Sequence, residues 1–326
     1  MAFRLKLVPD ETHINWFRVQ WLTFGISAFL MVASVVVIMM MGLNFGIDFR
    51  GGTTIRTEST NPVSIGEYRE AMNTLGFDDV VITEVFDPTF GADRHVAQIR
   101  LAAGEGDAAV TPDELAKVEA ALKVVDPAIR FAAVESVGPK VSGELVKTAL
   151  YAVGAATIGI MIYIWARFEW QFAIGAVVSM IHDILLTVGL FSLFQIKFDL
   201  TTIAALLTIL GYSVNDTVVV FDRLRENLIK FKTMPLIDVM NLTVNETLSR
   251  TVMTAVTTGI ALTAMLVFGG DVIRTFILAM LWGVFVGCYS TLYMAKNVVL
   301  WLGVKRDWSK PEVDKDGVPS AFRDAP

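Results

Sequence analysis

The stretch LTTIAALLTILGYSVNDTVVVFDRLREN, residues 200–227, holds one acid, Asp216, inside a run that is otherwise free of charge from 200 to 221. About 20 helical residues cross the roughly 30 Å of a bilayer's hydrocarbon, so the run is long enough to span it. An apolar segment of this length carrying a lone carboxylate points to a membrane span with a buried charge.

Composition agrees with a membrane protein. Hydrophobic residues make up 54 % of the chain and charged residues 18 %, and the mean hydropathy is +0.57, beyond what a soluble domain of this length carries. The net charge of -6 comes with no basic tail or clustered basic face, so no nucleic-acid partner is expected. Cys288 is the only cysteine, which excludes a disulfide framework or a cysteine metal site within the chain.

Windows nearly free of charge place six spans, at 21–42, 147–166, 170–196, 200–222, 250–270 and 274–302. The first follows Arg4, Lys6 and Arg18 but is too long for a signal peptide and lacks a small-residue cleavage site; it reads as an uncleaved anchor. Lys and Arg gather in the N-terminus (1–20), at Arg167, in the connection 223–249 and in the tail 303–326, with Lys296 counted among the tail's charges. That asymmetry puts both ends in the cytoplasm. Residues 43–146 then lie on the far side, the periplasm if the chain sits in a bacterial inner membrane as a multi-pass protein.

The interval 43–146 reads as a domain. Strand-like GTTIRTE (52–58) is followed by helix-like SIGEYREAMNTLG (64–76), with Ser64 and Glu67 spaced as a capping box. DVVITEVF (79–86) and RHVAQIRLA (94–102) form an expected hairpin around the turn DPTFGAD (87–93). TPDELAKVEAALKVV (111–125), capped by Thr111 with Pro112 at its first position, and the strand AIRFAAVESVG (128–138) complete a βαββαβ order. The expected fold is therefore six transmembrane helices with one α+β ferredoxin-like domain.

Enzyme motifs fail. GPKVSGEL (138–145) has the glycine spacing of a phosphate loop but places Glu144 where lysine is needed and Leu145 where a hydroxyl is needed. His13, His95 and His182 lack a ligand spacing, so no metal site is expected. No Gly-x-Ser-x-Gly elbow is present. A non-enzymatic protein that needs no cofactor is the expectation.

An ionisable group inside a span costs at least about 2.5–3.5 kcal/mol on insertion scales and usually marks an ion or proton route. The candidates are Asp216 with its neighbour Asn215, His182 and Asp183 in the third span, and Arg250 at the entry to the fifth. The fourth and fifth spans run in opposite directions, so Asp216 and Arg250 can reach similar depth. A carboxylate alternating between a fixed arginine charge and a proton is a workable coupling device, with Asp216 as the acceptor. The bland alternatives are a structural hydrogen bond for Asp216 and a snorkelling end residue for Arg250. His182 and Asp183 adjoin, so their side chains leave the helix in different directions and a direct relay between them is not expected.

Three stretches carry a resemblance: GIDFRGGT (46–53), ESVGPKVSGEL (135–145) and GYSVNDTVVVFDRLREN (211–227), the last followed by LSRTVMTAVTT (248–258). With the six spans and single large external domain, the chain resembles the SecF family, the smaller membrane subunits of bacterial SecD–SecF complexes within the resistance-nodulation-division transporter superfamily. The resemblance implies pairing with SecD in a pseudo-symmetric twelve-span unit. It also implies action beside the SecYEG translocon and its accessory membrane subunits on an unfolded secretory polypeptide, driven by the proton-motive force across the lipid bilayer. It implies a proton pathway through Asp216 and Arg250. Gly46, Asp48, Gly51 and Gly52, with Gly138, Pro139 and Gly143, would link the external domain to the helices. Two other readings stay open: a small-molecule/proton antiporter subunit, and a passive scaffold of the translocon.

Overall fold

The computed structural model describes residues 8–9, 12–77, 80–85, 93–102 and 110–304. Six helices are long and apolar enough to cross a membrane. They are α1 (Gln20–Met41), α5 (Pro139–Arg167), α6 (Trp170–Leu193), α7 (Leu200–Lys230), α8 (Leu236–Phe268) and a last helix spanning Asp271–Leu302. The last is α9 (Asp271–Ser290) joined through one π-helical turn, Thr291–Ala295, to α10 (Lys296–Leu302). A short α2 (Ile47–Arg50) follows α1.

The α+β domain between α2 and α5 runs β1 (Gly52–Ser59), α3 (Ile65–Thr74), β2 (Val80–Val85), β3 (His95–Leu101), α4 (Pro112–Val125) and β4 (Arg130–Val137). Its sheet has the order β2-β3-β1-β4 and every pairing is antiparallel, so the expected βαββαβ arrangement forms. Alternating inward residues of the sheet, Ile55, Ile82, Ile99 and Leu101, meet Tyr68 and Met72 of α3 and Val118 and Leu122 of α4 in one core. Thr111 and Glu114 form a reciprocal capping box at α4. The box expected at Ser64 and Glu67 does not: Ser64 is the N-cap of α3, but its side chain makes no capping bond. The expected turn 87–93 lies, but for Asp93, outside the described residues, as does the tail from 305.

In the bundle, α6, α7 and the last helix are the more buried members, while α1, α5 and α8 turn most of their surface outward. Trp21, Met39, Tyr151 and Phe268 are among the large apolar side chains exposed there, as lipid contact requires. The central helices approach closely because small residues face each other. Gly283 sits against Ile209 of α7, and a side chain at Gly287 would meet Ser213 Cβ at 3.1 Å. The pair forms a Gly-xxx-Gly stripe on α9.

The helices also outrun the expected spans. Residues 223–249, read from sequence as a connection, are helical except at 231–235. Their charges do not end the helices because they face a cleft and its mouth, where charged ends of long helices remain solvated. Lys296, expected in the tail, is instead 1 % exposed inside the bundle. Its Nζ lies 3.8 Å from the ring centre of Phe17, 5.6 Å from Tyr293 and 5.8 Å from Trp16, and has no hydrogen-bond acceptor among the described residues. The rings supply their negative faces in place of a carboxylate. Trp16 is held there by Asn241 of α8, whose Oδ1 accepts from the Trp16 amide at 2.9 Å.

Candidate functional site

Polar or small residues recur three or four positions apart on the three central helices: Ser179, His182 and Asp183 on α6; Ser213, Asp216 and Thr217 on α7; Gly287, Ser290 and Thr291 on the last helix. That spacing collects them on one face of each helix. The close packing of Gly287 on Ser213 brings the faces together.

Asp183 is fully buried and fully engaged. Its Oδ2 accepts from Ser213 Oγ at 2.6 Å and Ser290 Oγ at 2.9 Å, and Ser179 Oγ donates to Ser290 at 2.8 Å. His182 Nδ1 lies 2.9 Å from Asp183 Oδ1, so the two neighbours touch although their side chains leave the helix in different directions. The His182 ring stacks on Tyr289 at 6.0 Å, and its Nε2 is buried without a partner among the described residues. Tyr289 in turn donates to the Thr23 carbonyl of α1 at 2.9 Å.

Asp216 lies one turn beyond Ser213 on α7 and is 3 % exposed. Its environment differs sharply. Oδ2 is buried and has no hydrogen-bond partner among the described residues. From α8, the Arg250 charge and the Thr254 hydroxyl act on this carboxylate. No ion pair within 4.0 Å joins Asp216 and Arg250 among the described residues. Next to Asp216, Thr217 Oγ1 meets Thr291 Oγ1 of the π turn at 3.0 Å. Asn215 is exposed and stands outside this cluster, since a one-residue step rotates it away.

The two acids are therefore chemically unlike. Protonating Asp183 would disrupt charge-assisted hydrogen bonds worth about 1.5–3 kcal/mol each, and the network resists that change. Protonating Asp216 at Oδ2 breaks no hydrogen bond. Arg250 is exposed in a cleft of about 470 Å³ between α5, α7 and α8, which Thr247 and Val218 also line. On α7 the lining runs from Val218 to Glu226, and Asp216 is not part of it.

The predicted linking residues meet at the other end. The Gly46 amide donates to the Phe198 carbonyl at 2.8 Å, and the Phe198 amide returns to Asn44 at 2.8 Å. Asp48 Oδ2 accepts from the Leu200 amide at 3.0 Å, so this residue caps the helix that carries Asp216. Gly51, at φ +76, lets the chain pass the Pro139 backbone, which a side chain would approach at 3.3 Å. Gly52, at φ +119, enters β1. Gly138 is the N-cap of α5 in an ordinary extended conformation, and neither it nor Gly143 has an atom within 4 Å of the place a side chain would occupy.

Ser213, Ser290, Thr217, Thr291 and Lys296 escaped the sequence reading. A polar stripe at helical spacing inside each apolar run was the signal for the first four.

Residues 117–305 match the family described as protein export membrane protein SecD/SecF, C-terminal, and residues 36–63 match the SecD/SecF GG motif. Protein translocase subunit SecF of Cereibacter sphaeroides is 62 % identical over 325 residues, covering 100 % of both chains. The SecF subunit of Haemophilus influenzae is 36 % identical, covering 93 % of this chain and 90 % of its own. The crystal structure of SecDF from Thermus thermophilus, titled a translocon-associated membrane protein, superposes with a TM-score of 0.80 at 31 % identity. It covers 91 % of this chain but 39 % of the SecDF chain, so the present chain spans about two fifths of that fused protein.

Proposed function

The chain belongs to the SecD/SecF family of protein export membrane proteins, and from that premise we propose that it uses the proton-motive force to promote polypeptide export, with Asp216 taking up and releasing the proton and Arg250 gating it. The observation that carries this reading is the bare, buried Oδ2 of Asp216 beside the field of Arg250. A carboxylate so placed changes protonation without dismantling a hydrogen-bond network, and its charge change alters the attraction between α7 and α8.

In this reading the chain works with SecD as the other half of a twelve-span unit beside SecYEG. Fused SecDF relatives such as that of Brucella abortus, 38 % identical over 93 % of this chain, support the pairing. Both termini face the cytoplasm of a bacterial inner membrane and the α+β domain faces the periplasm. Shifts of α7 reach that domain through Asp48 and Gly51, so the domain holds an emerging unfolded chain and hinders its backsliding. The protein needs no cofactor and catalyses no covalent chemistry; the gradient is the energy source.

Export of a secreted protein from cells carrying Asp216→Asn or Asp216→Glu, with complex assembly checked by pull-down and the gradient present or collapsed, tests this. Asn should abolish gradient-dependent stimulation and Glu should retain part of it. Parent-level export and unchanged gradient dependence in Asp216→Asn would instead make the protein a passive scaffold.

A further inference from the structure

The cleft lined by Arg250 holds three carboxylates, Asp222, Glu226 and Glu246, and two further arginines, Arg167 and Arg223. Each carboxylate is taken by an arginine other than Arg250. Arg167 Nη2 meets Asp222 at 3.1 Å, while Arg223 meets Glu226 through Nη1 at 2.7 Å and Glu246 through Nε at 2.8 Å. Asn227 Nδ2 adds a second donor to the same Glu246 oxygen at 2.7 Å. Asn227 is itself buried and braced by Thr243 Oγ1 at 3.1 Å.

This arrangement overrides a local preference. Glu246 stands four residues before Arg250 on α8, the spacing and order in which a glutamate and a cation pair best along a helix. That pair is absent among the described residues; Glu246 turns across to α7 instead. Isolated surface ion pairs contribute little, but two arginines competing for one carboxylate need only a small difference to choose, and the buried Asn227 amide supplies it on the α7 side.

We propose that Arg223, aided by Asn227, is a positioning residue that draws Glu246 onto α7 and so keeps Arg250 free for Asp216. Its functional part rests on the proton-coupled reading above; its structural part does not. Arg223 thereby protects the gate from capture by its own helix.

The test uses the full chain in its membrane complex. Phenylglyoxal modifies accessible guanidinium groups, and mass spectrometry follows the peptide containing Arg250. In Arg223→Gln, Glu246 turns back to Arg250, and modification of Arg250 slows by up to about twofold, the change an i,i+4 pair of ordinary strength gives. Gradient-dependent export falls by at least about half in the same variant. Adding Glu246→Gln to Arg223→Gln restores both, which a merely misfolded variant would not do. If Arg223→Gln does not accumulate, Asn227→Ala carries the same comparison with a smaller slowing. An unchanged modification rate, or a double variant no better than the single one, overturns the proposal. Slower modification with export undiminished overturns its functional part. An Asp216→Asn control that keeps its gradient dependence overturns the proton-coupled reading itself, and with it that same functional part.

Discussion

Ser213 Oγ donates to Asp183 Oδ2 at 2.6 Å across α6 and α7, while one turn further along α7 the Oδ2 of Asp216 receives nothing from any described residue. Two buried acids at neighbouring levels thus differ in kind: Asp183 is tied into the helix packing, and Asp216 keeps one oxygen without a partner among the described residues.

That division separates two variants. Asp183→Asn keeps the volume but loses the charge that Ser213 and Ser290 bind, so stability falls by about 1–3 kcal/mol. Thermal unfolding in detergent should show a lowered midpoint for Asp183→Asn. Asp216→Asn should match or exceed the parent in the same assay, because it removes a buried charge that lacks a partner at Oδ2.

Asp48 offers a second test, remote from the bundle centre. Its carboxylate caps the Leu200 amide, and loss of a cap costs about 1 kcal/mol. Asp48→Ala should speed amide hydrogen exchange in the first turn of α7 about fivefold, with exchange in β2 and β3 unaltered. Asp199, whose Oδ1 accepts from the Thr202 amide at 3.1 Å, keeps the turn from unravelling altogether.

The α+β domain carries its own acid response. Burial alone would raise Asp126, but hydrogen bonds from Ser59, Asn61, the Ala128 amide and Tyr68 outweigh it and hold the carboxyl below the usual range. A depressed folded value contributes stability that is present above the unfolded value of about 3.9 and is lost as pH falls through the folded one. Pulse proteolysis with an acid-active protease, following fragments from 52–137, should show resistance dropping below about pH 4. Asp126→Asn should flatten that drop and lower resistance at neutral pH. Tyr68, pushed up chiefly by burial and then by Asp126, stays protonated where an ordinary tyrosine ionises.

Much of this was legible in the sequence, and what was missed shares a cause. Asp216 and Arg250 stood out because charges in apolar runs are rare and opposite helix directions set their depths. The network around Asp183 needs to know which helix faces meet, and that follows from Gly283 and Gly287 touching α7, a property of pairs of helices. Lys296 looked like a tail residue because a lysine near a helix end usually snorkels; two of the three rings that replace water, Trp16 and Phe17, come from far away in the sequence. Ser64 carried the correct cap identity, but its side chain makes no capping bond, so residue type alone overstated the motif.

The cage around Lys296 joins this lysine to Trp16 and Phe17, residues far from it in sequence. Phe17 and Trp16 leave the ribosome long before Lys296 does, and until that lysine arrives the rings face no cation. The bundle is therefore sealed late, by a contact of very high sequence separation that cannot form on a truncated chain. Phe17 and Trp16 therefore gain their cation only once the chain has been made through Lys296.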